Sequence, residues 1–67
     1  MTITLNFESE HYEEASLSVL DILKRKHWSF PLVIVKVNGE VIERTAYGEC
    51  AVKDGDEVEA YHLVSGG

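Results

Sequence analysis

Four side chains in this 67-residue sequence have the chemistry of a nucleophile, a general base or a soft metal ligand: His11, His27, His62 and Cys50. They lie in different stretches of the chain, without ligand-type spacing. A zinc centre needs three or four convergent ligands, and a lone cysteine offers no cysteine pair. Cys50 beside a histidine would make a nucleophile pair, yet a small residue in an apolar-leaning segment is ordinary packing material. The twelve acidic residues are expected on solvated surface, and no glycine-rich phosphate loop is present. The side chains thus compose no catalytic constellation and no metal site. What remains is backbone: the sequence closes on Val64-Ser65-Gly66-Gly67. Glycine has no Cβ and accepts angles that other residues avoid. A diglycine hung on a strand-like segment, Glu57 to Val64, makes a thin, flexible tail. Such a tail can thread a narrow channel and carry a terminal carboxylate into another protein's active site. A frayed end would have the same composition, because termini are commonly disordered.

The elements that must hold this tail follow from pattern. Ile3, Leu5 and Phe7 alternate with Thr2, Thr4 and Asn6, the period-two signature of a half-buried strand. Glu8 to Glu14 is polar and fits a turn and a short second strand, with Tyr12 its only large apolar residue. Ser18 is a good N-cap, and Asp21 completes a capping box at the positive end of a helix. Leu17 can staple onto Ile22, while Val19, Ile22 and Leu23 share one helix face. Lys24, Arg25, Lys26 and His27 place positive charge at the helix C-terminus, where the macrodipole favours it. Trp28-Ser29-Phe30-Pro31 is a loop, since proline bars helix continuation, and its aromatics are expected to cap the core. Leu32 to Val37 is β-branched and predicts a central strand. Asn38-Gly39 predicts a tight hairpin with Glu40 to Glu43 returning and Val41 or Ile42 facing inward. Thr45 to Val52 crosses the molecule, with a helical turn near Tyr47. Asp54-Gly55-Asp56 is a tight turn, after which Val58 and Ala60 face the core and Glu59 and Tyr61 face away. The order strand, strand, helix, strand, strand, strand predicts an α+β layer pair, one sheet on one helix.

Composition bounds the function. A chain this short makes one marginal domain that buries about 60% of its unfolded surface, too little for a core and a deep pocket together. Lone Cys50 excludes an internal disulfide framework and fits a reducing, cytoplasmic setting. No apolar run approaches the ~18 residues of a membrane span, and the start carries no basic leader. A net charge of −6 argues against nucleic acid, which draws affinity from Lys and Arg on phosphates, and favours a basic protein surface.

Taken in order, Val37-Asn38-Gly39-Glu40-Val41-Ile42, Val52-Lys53-Asp54-Gly55-Asp56-Glu57-Val58 and the closing Val64-Ser65-Gly66-Gly67 resemble the ubiquitin-like β-grasp sulfur carriers of the ThiS/MoaD family, the thiamine-pathway branch above the molybdopterin-pathway branch. The similarity spans essentially the whole chain. It departs from the family at Asn6-Phe7-Glu8, where many members have Asn-Gly, at the aromatic loop 28–31, and after Arg44, where Tyr47 replaces an expected tryptophan. The resemblance implies a single β-grasp domain over residues 1–67, a mixed sheet of four to five strands packed on one helix with the first and last strands parallel, and a flexible tail at 65–67. It implies that the protein is not an enzyme and binds no cofactor. A partner, an E1-like adenylyltransferase of the ThiF or MoeB type, would spend ATP to adenylate Gly67, and a sulfur donor would leave a thiocarboxylate there. Thiazole synthase, or the large subunit of molybdopterin synthase, would then take the sulfur. Gly66 and Ser65 would form the tail that enters the partner's channel, and Tyr61 and Leu63, with Lys36 on the neighbouring strand, would form the docking face. A ubiquitin-like modifier or plain interaction module is the reading from another class.

Overall fold

A computed structural model describes residues 1–28 and 33–62 of the chain. The expected loop at Ser29, Phe30 and Pro31, the start of a strand at Leu32, and the calls on Leu63, Ser65, Gly66 and Gly67 lie outside the described residues. Among the described residues, seven strands and one helix follow in order: β1 Thr2–Leu5, β2 Glu8–His11, β3 Ser16–Ser18, α1 Val19–Arg25, β4 Val33–Val37, β5 Glu40–Ile42, a 3-10 turn at Arg44–Ala46, β6 Ala51–Lys53 and β7 Glu57–His62.

The main sheet has the order β2-β1-β7-β4-β5. Its first and last strands are parallel, with Thr4 beside Glu57 and Leu5 beside Val58, while β1–β2, β4–β5 and β4–β7 are antiparallel. Alternation puts Ile3, Leu5, Val35, Val37 and Val58 on one face, where they bury together with Val19, Ile22 and Leu23 of α1. Fully burying one such side chain stabilises by roughly 1.5–3 kcal/mol. Ala60 and Ile42 are partly buried against the same cluster.

Two short strands were absent from the sequence reading. β3 and β6 form a separate two-stranded sheet in which Leu17 faces Val52, and both residues enter the core. Three residues are too few for a period to register in the sequence.

The first strand is also shorter than the alternation predicts. It ends at Leu5, and Phe7 leaves the core for solvent. Leu5 pairs with Glu8 across only two residues, so Asn6 and Phe7 form the turn itself, with φ of 50° and 68°. This is the type I′ hairpin turn, which matches the strand twist and has positive φ at both positions, and that geometry overrides the apolar pattern. The Asn38-Gly39 turn, with φ of 52° and 82°, has the predicted form.

The helix is closed at both ends. Ser18 Oγ accepts from Asp21 N–H at 3.0 Å, and the Asp21 carboxylate accepts from Ser18 N–H at 3.4 Å. At the other end Trp28 N–H reaches the Leu23 carbonyl at 2.8 Å and His27 N–H reaches that of Lys24 at 3.1 Å. His27 has φ 59°, the left-handed residue that ends a helix in this motif. Tyr47, buried in the core, donates its hydroxyl to the Val33 carbonyl at 3.0 Å and so ties the crossing segment to β4.

Candidate functional site

The strand that leads into residues 63–67 is the middle one of five. β7 lies between β1 and β4, so its direction is held from both sides. β1 pairs with it only at Glu57 and Val58, and beyond that point Asn6 takes over. Its N–H donates to the Val58 carbonyl at 2.9 Å, and its Oδ1 accepts from Ala60 N–H at 2.7 Å. A side-chain amide thus stands in for a further residue of β1 and keeps a part-buried donor satisfied. At the start of β7, Asn38 Oδ1 accepts from Glu57 N–H at 2.9 Å and its Nδ2 donates to Asp56 at 3.2 Å.

On the sheet face away from α1, register sets the neighbours. Tyr61 lies opposite Ile34, Glu59 opposite Lys36, and Lys36 opposite Val41. Three large apolar residues are exposed here: Val41 at 59%, Tyr61 at 41% and Ile34 at 37%. The Tyr61 hydroxyl donates to the Glu59 carboxylate. That hydrogen bond, with lesser contributions from desolvation and from the charges of Glu59 and Glu57, holds the phenol above its ordinary pKa.

Tyr61 and Lys36, expected together, do share this face, although Lys36 stands beside Glu59 rather than beside Tyr61. Leu63, Ser65, Gly66 and Gly67 lie outside the described residues. Ile34 and Val41 were missed. The unbroken apolar run from Leu32 conceals which residues face outward, but the Asn38-Gly39 turn holds the answer. A two-residue loop sets Val37 opposite Glu40 and therefore Lys36 opposite Val41, with Ile34 two residues along the same face.

The basic residues at the end of α1 are engaged away from this face. Arg25 pairs with Glu14 and Lys26 with Glu10 at 3.1 Å. Arg25 also lies 5.8 Å from the Tyr12 ring and Lys26 5.5 Å from that of Trp28. The basic run therefore ties the end of α1 to residues 10–14, and Trp28 packs against the core. Cys50 is half-buried, its carbonyl accepting from Val19 N–H at 2.9 Å. Among the described residues no three His, Cys, Asp or Glu side chains converge as metal ligands, and no helix is long and apolar enough to cross a membrane.

A mixed five-stranded sheet packed on one helix, with its first and last strands parallel, defines a ubiquitin-like β-grasp domain. The ThiS family model matches residues 3–67, and the chain belongs to the ThiS family. The crystal structure of the thiamine biosynthesis protein ThiS from Geobacter metallireducens is similar over 100% of both chains, with a TM-score of 0.88 and 36% identity. An NMR solution structure of a thiamine biosynthesis protein from the same organism gives a TM-score of 0.82 and 38% identity, over 100% of this chain and 88% of that one. A search of curated proteins finds no match.

Proposed function

We propose that the chain is a sulfur carrier for thiamine biosynthesis, loaded at Gly67. The observation that carries this reading is the family match, which runs through the diglycine to residue 67. The position of β7 in the middle of the sheet supports it, because a tail needs a rigid root to be aimed.

A carboxylate is a poor electrophile. In this reading an E1-like adenylyltransferase brings Gly67 against ATP. The carboxylate oxygen attacks the α-phosphorus, pyrophosphate leaves, and an acyl-adenylate forms. A persulfide sulfur from the donor then displaces AMP, and a thiol cleaves the resulting acyl disulfide to release the thiocarboxylate. A thiazole-forming enzyme consumes that sulfur. The carrier contributes no catalytic side chain. Gly66 and Gly67 bring bare backbone where a Cβ would block close approach, Ser65 joins them to the domain, and the Tyr61, Leu63 and Lys36 face docks. ATP belongs to the partner, and the carrier itself needs no cofactor.

The test is incubation with the cognate adenylyltransferase, ATP and a persulfide donor, followed by mass spectrometry of the intact chain. Exchange of one terminal oxygen for sulfur is the expected result. Lysine conjugates without a thiocarboxylate would make the protein a modifier, and no adenylation would leave an interaction module.

A further inference from the structure

We propose that Phe7 is an aromatic anchor by which the domain docks on the enzyme that activates its C-terminus, an inference that rests on the carrier reading. The molecule contains its own comparison. Both hairpins of the main sheet close on two residues of positive φ, Asn6-Phe7 and Asn38-Gly39. At the second position one hairpin has glycine at 82° and the other phenylalanine at 68°. A bulky residue is an outlier in that region because its Cβ crowds the carbonyl oxygen. The fold gives little in return, because Phe7 is 72% exposed, the most exposed large apolar side chain described. Strain at an exposed residue that does not serve the core points to function.

Its position says which function. Asn6, the preceding residue, is hydrogen-bonded to Val58 and Ala60, so the turn lies beside the last strand where it heads for residues 63–67. Five residues extend at most about 18 Å. An active site that takes Gly67 therefore brings its rim against the end of β7 and the turn next to it. Aromatic side chains are the common anchors of such interfaces. The partner surface that fits is an apolar socket with basic groups around it, matching the net charge of −6 and Glu57 and Glu59 on β7.

Phe7→Gly separates docking from folding, because glycine suits this turn better than phenylalanine. ATP–pyrophosphate exchange with the cognate E1-like adenylyltransferase gives KM and kcat for the carrier, and thermal unfolding gives Tm. Phe7→Gly should unfold no lower than wild type, while its KM rises about tenfold and kcat changes little. Phe7→Leu should fall between, and Leu20→Gln, an exposed apolar residue on the helix, should match wild type. A Phe7→Gly KM within about twofold of wild type overturns the anchor and leaves the carrier reading intact. A lower Tm for Phe7→Gly shows that the fold holds the ring and overturns it as well, as does an equal KM rise in Leu20→Gln. If wild type itself is not adenylated, the carrier reading fails and the anchor with it.

Discussion

Tyr61 carries a raised pKa on the open sheet face. Its hydroxyl donates to Glu59, two residues away on the same side of the strand. Ionising the phenol would break that bond and place a second negative charge beside the carboxylate, so the hydrogen bond first, and desolvation after it, hold the pKa above the ordinary 10.0. The folded-state pKa is raised, so the stabilisation is present below the unfolded value and is lost as pH rises through the folded one. It is therefore fully present at neutral pH and is lost only in alkali. Glu59→Gln should shift one tyrosine transition toward lower pH in a phenolate absorbance titration, leaving that of Tyr12, which is raised chiefly by burial, in place. Unchanged titration curves would show that Glu59 does not hold the ring. The same bond restrains the ring on the sheet face proposed to dock.

The helix is the element whose existence most needs explanation. Seven residues are well short of the length at which an isolated helix is stable in water. Packing of Val19, Ile22 and Leu23 supplies part of the answer, and the two caps supply the rest. The C-terminal cap is imperfect, because His27 occupies a left-handed position that glycine fills without strain. His27→Gly should stabilise the domain by up to about 1 kcal/mol, raising Tm by roughly 4–8 °C in a thermal unfolding measurement. A fall in Tm would mean that the imidazole makes a contact worth more than the strain. The ion pair of Arg25 with Glu14 binds the same end of the helix and holds the Glu14 carboxyl below its usual pKa, chiefly through the hydrogen bond. Its contribution is present above the unfolded glutamate pKa and fades as pH falls through the folded one. Both side chains are substantially exposed, so it is small.

At the scale of the whole molecule, stability and the proposed activity occupy different residues. The core of the described residues runs from Ile3 to Val58, and the proposed chemistry is at Gly67. Gly67→Ala should leave Tm unchanged and yet cripple adenylation or sulfur loading, because the methyl group enters a channel built for backbone. Deleting Gly67 should do the same by shortening the reach, and an appended residue by converting the carboxylate to an amide. Wild-type loading rates in the Gly67→Ala and deletion proteins would remove the tail from the mechanism.

What the amino-acid sequence determined alone is everything written within a few neighbouring residues. The capping box at Ser18 and Asp21, the Asn38-Gly39 turn, the Asp54-Gly55-Asp56 turn and the alternation of Ile3 with Leu5 all depend on local torsions and on side chains that meet within a turn. The candidate tail was legible for the same reason. The tertiary structure decided what depends on distant partners. The parallel pairing of β1 with β7 joins residues more than fifty positions apart, and before the structure it followed only from the family resemblance. β3 and β6 are strands because each offers the other its backbone, not because Ser16–Ser18 has strand character. Phe7 looked like the third inward residue of a strand, and the register of a two-residue hairpin turned it outward. Ile34 and Val41 became a surface only when Lys36 and Tyr61 were set beside them. Backbone hydrogen bonding across a sheet does not depend on which side chains alternate along it, so a face becomes visible only once every strand has its register.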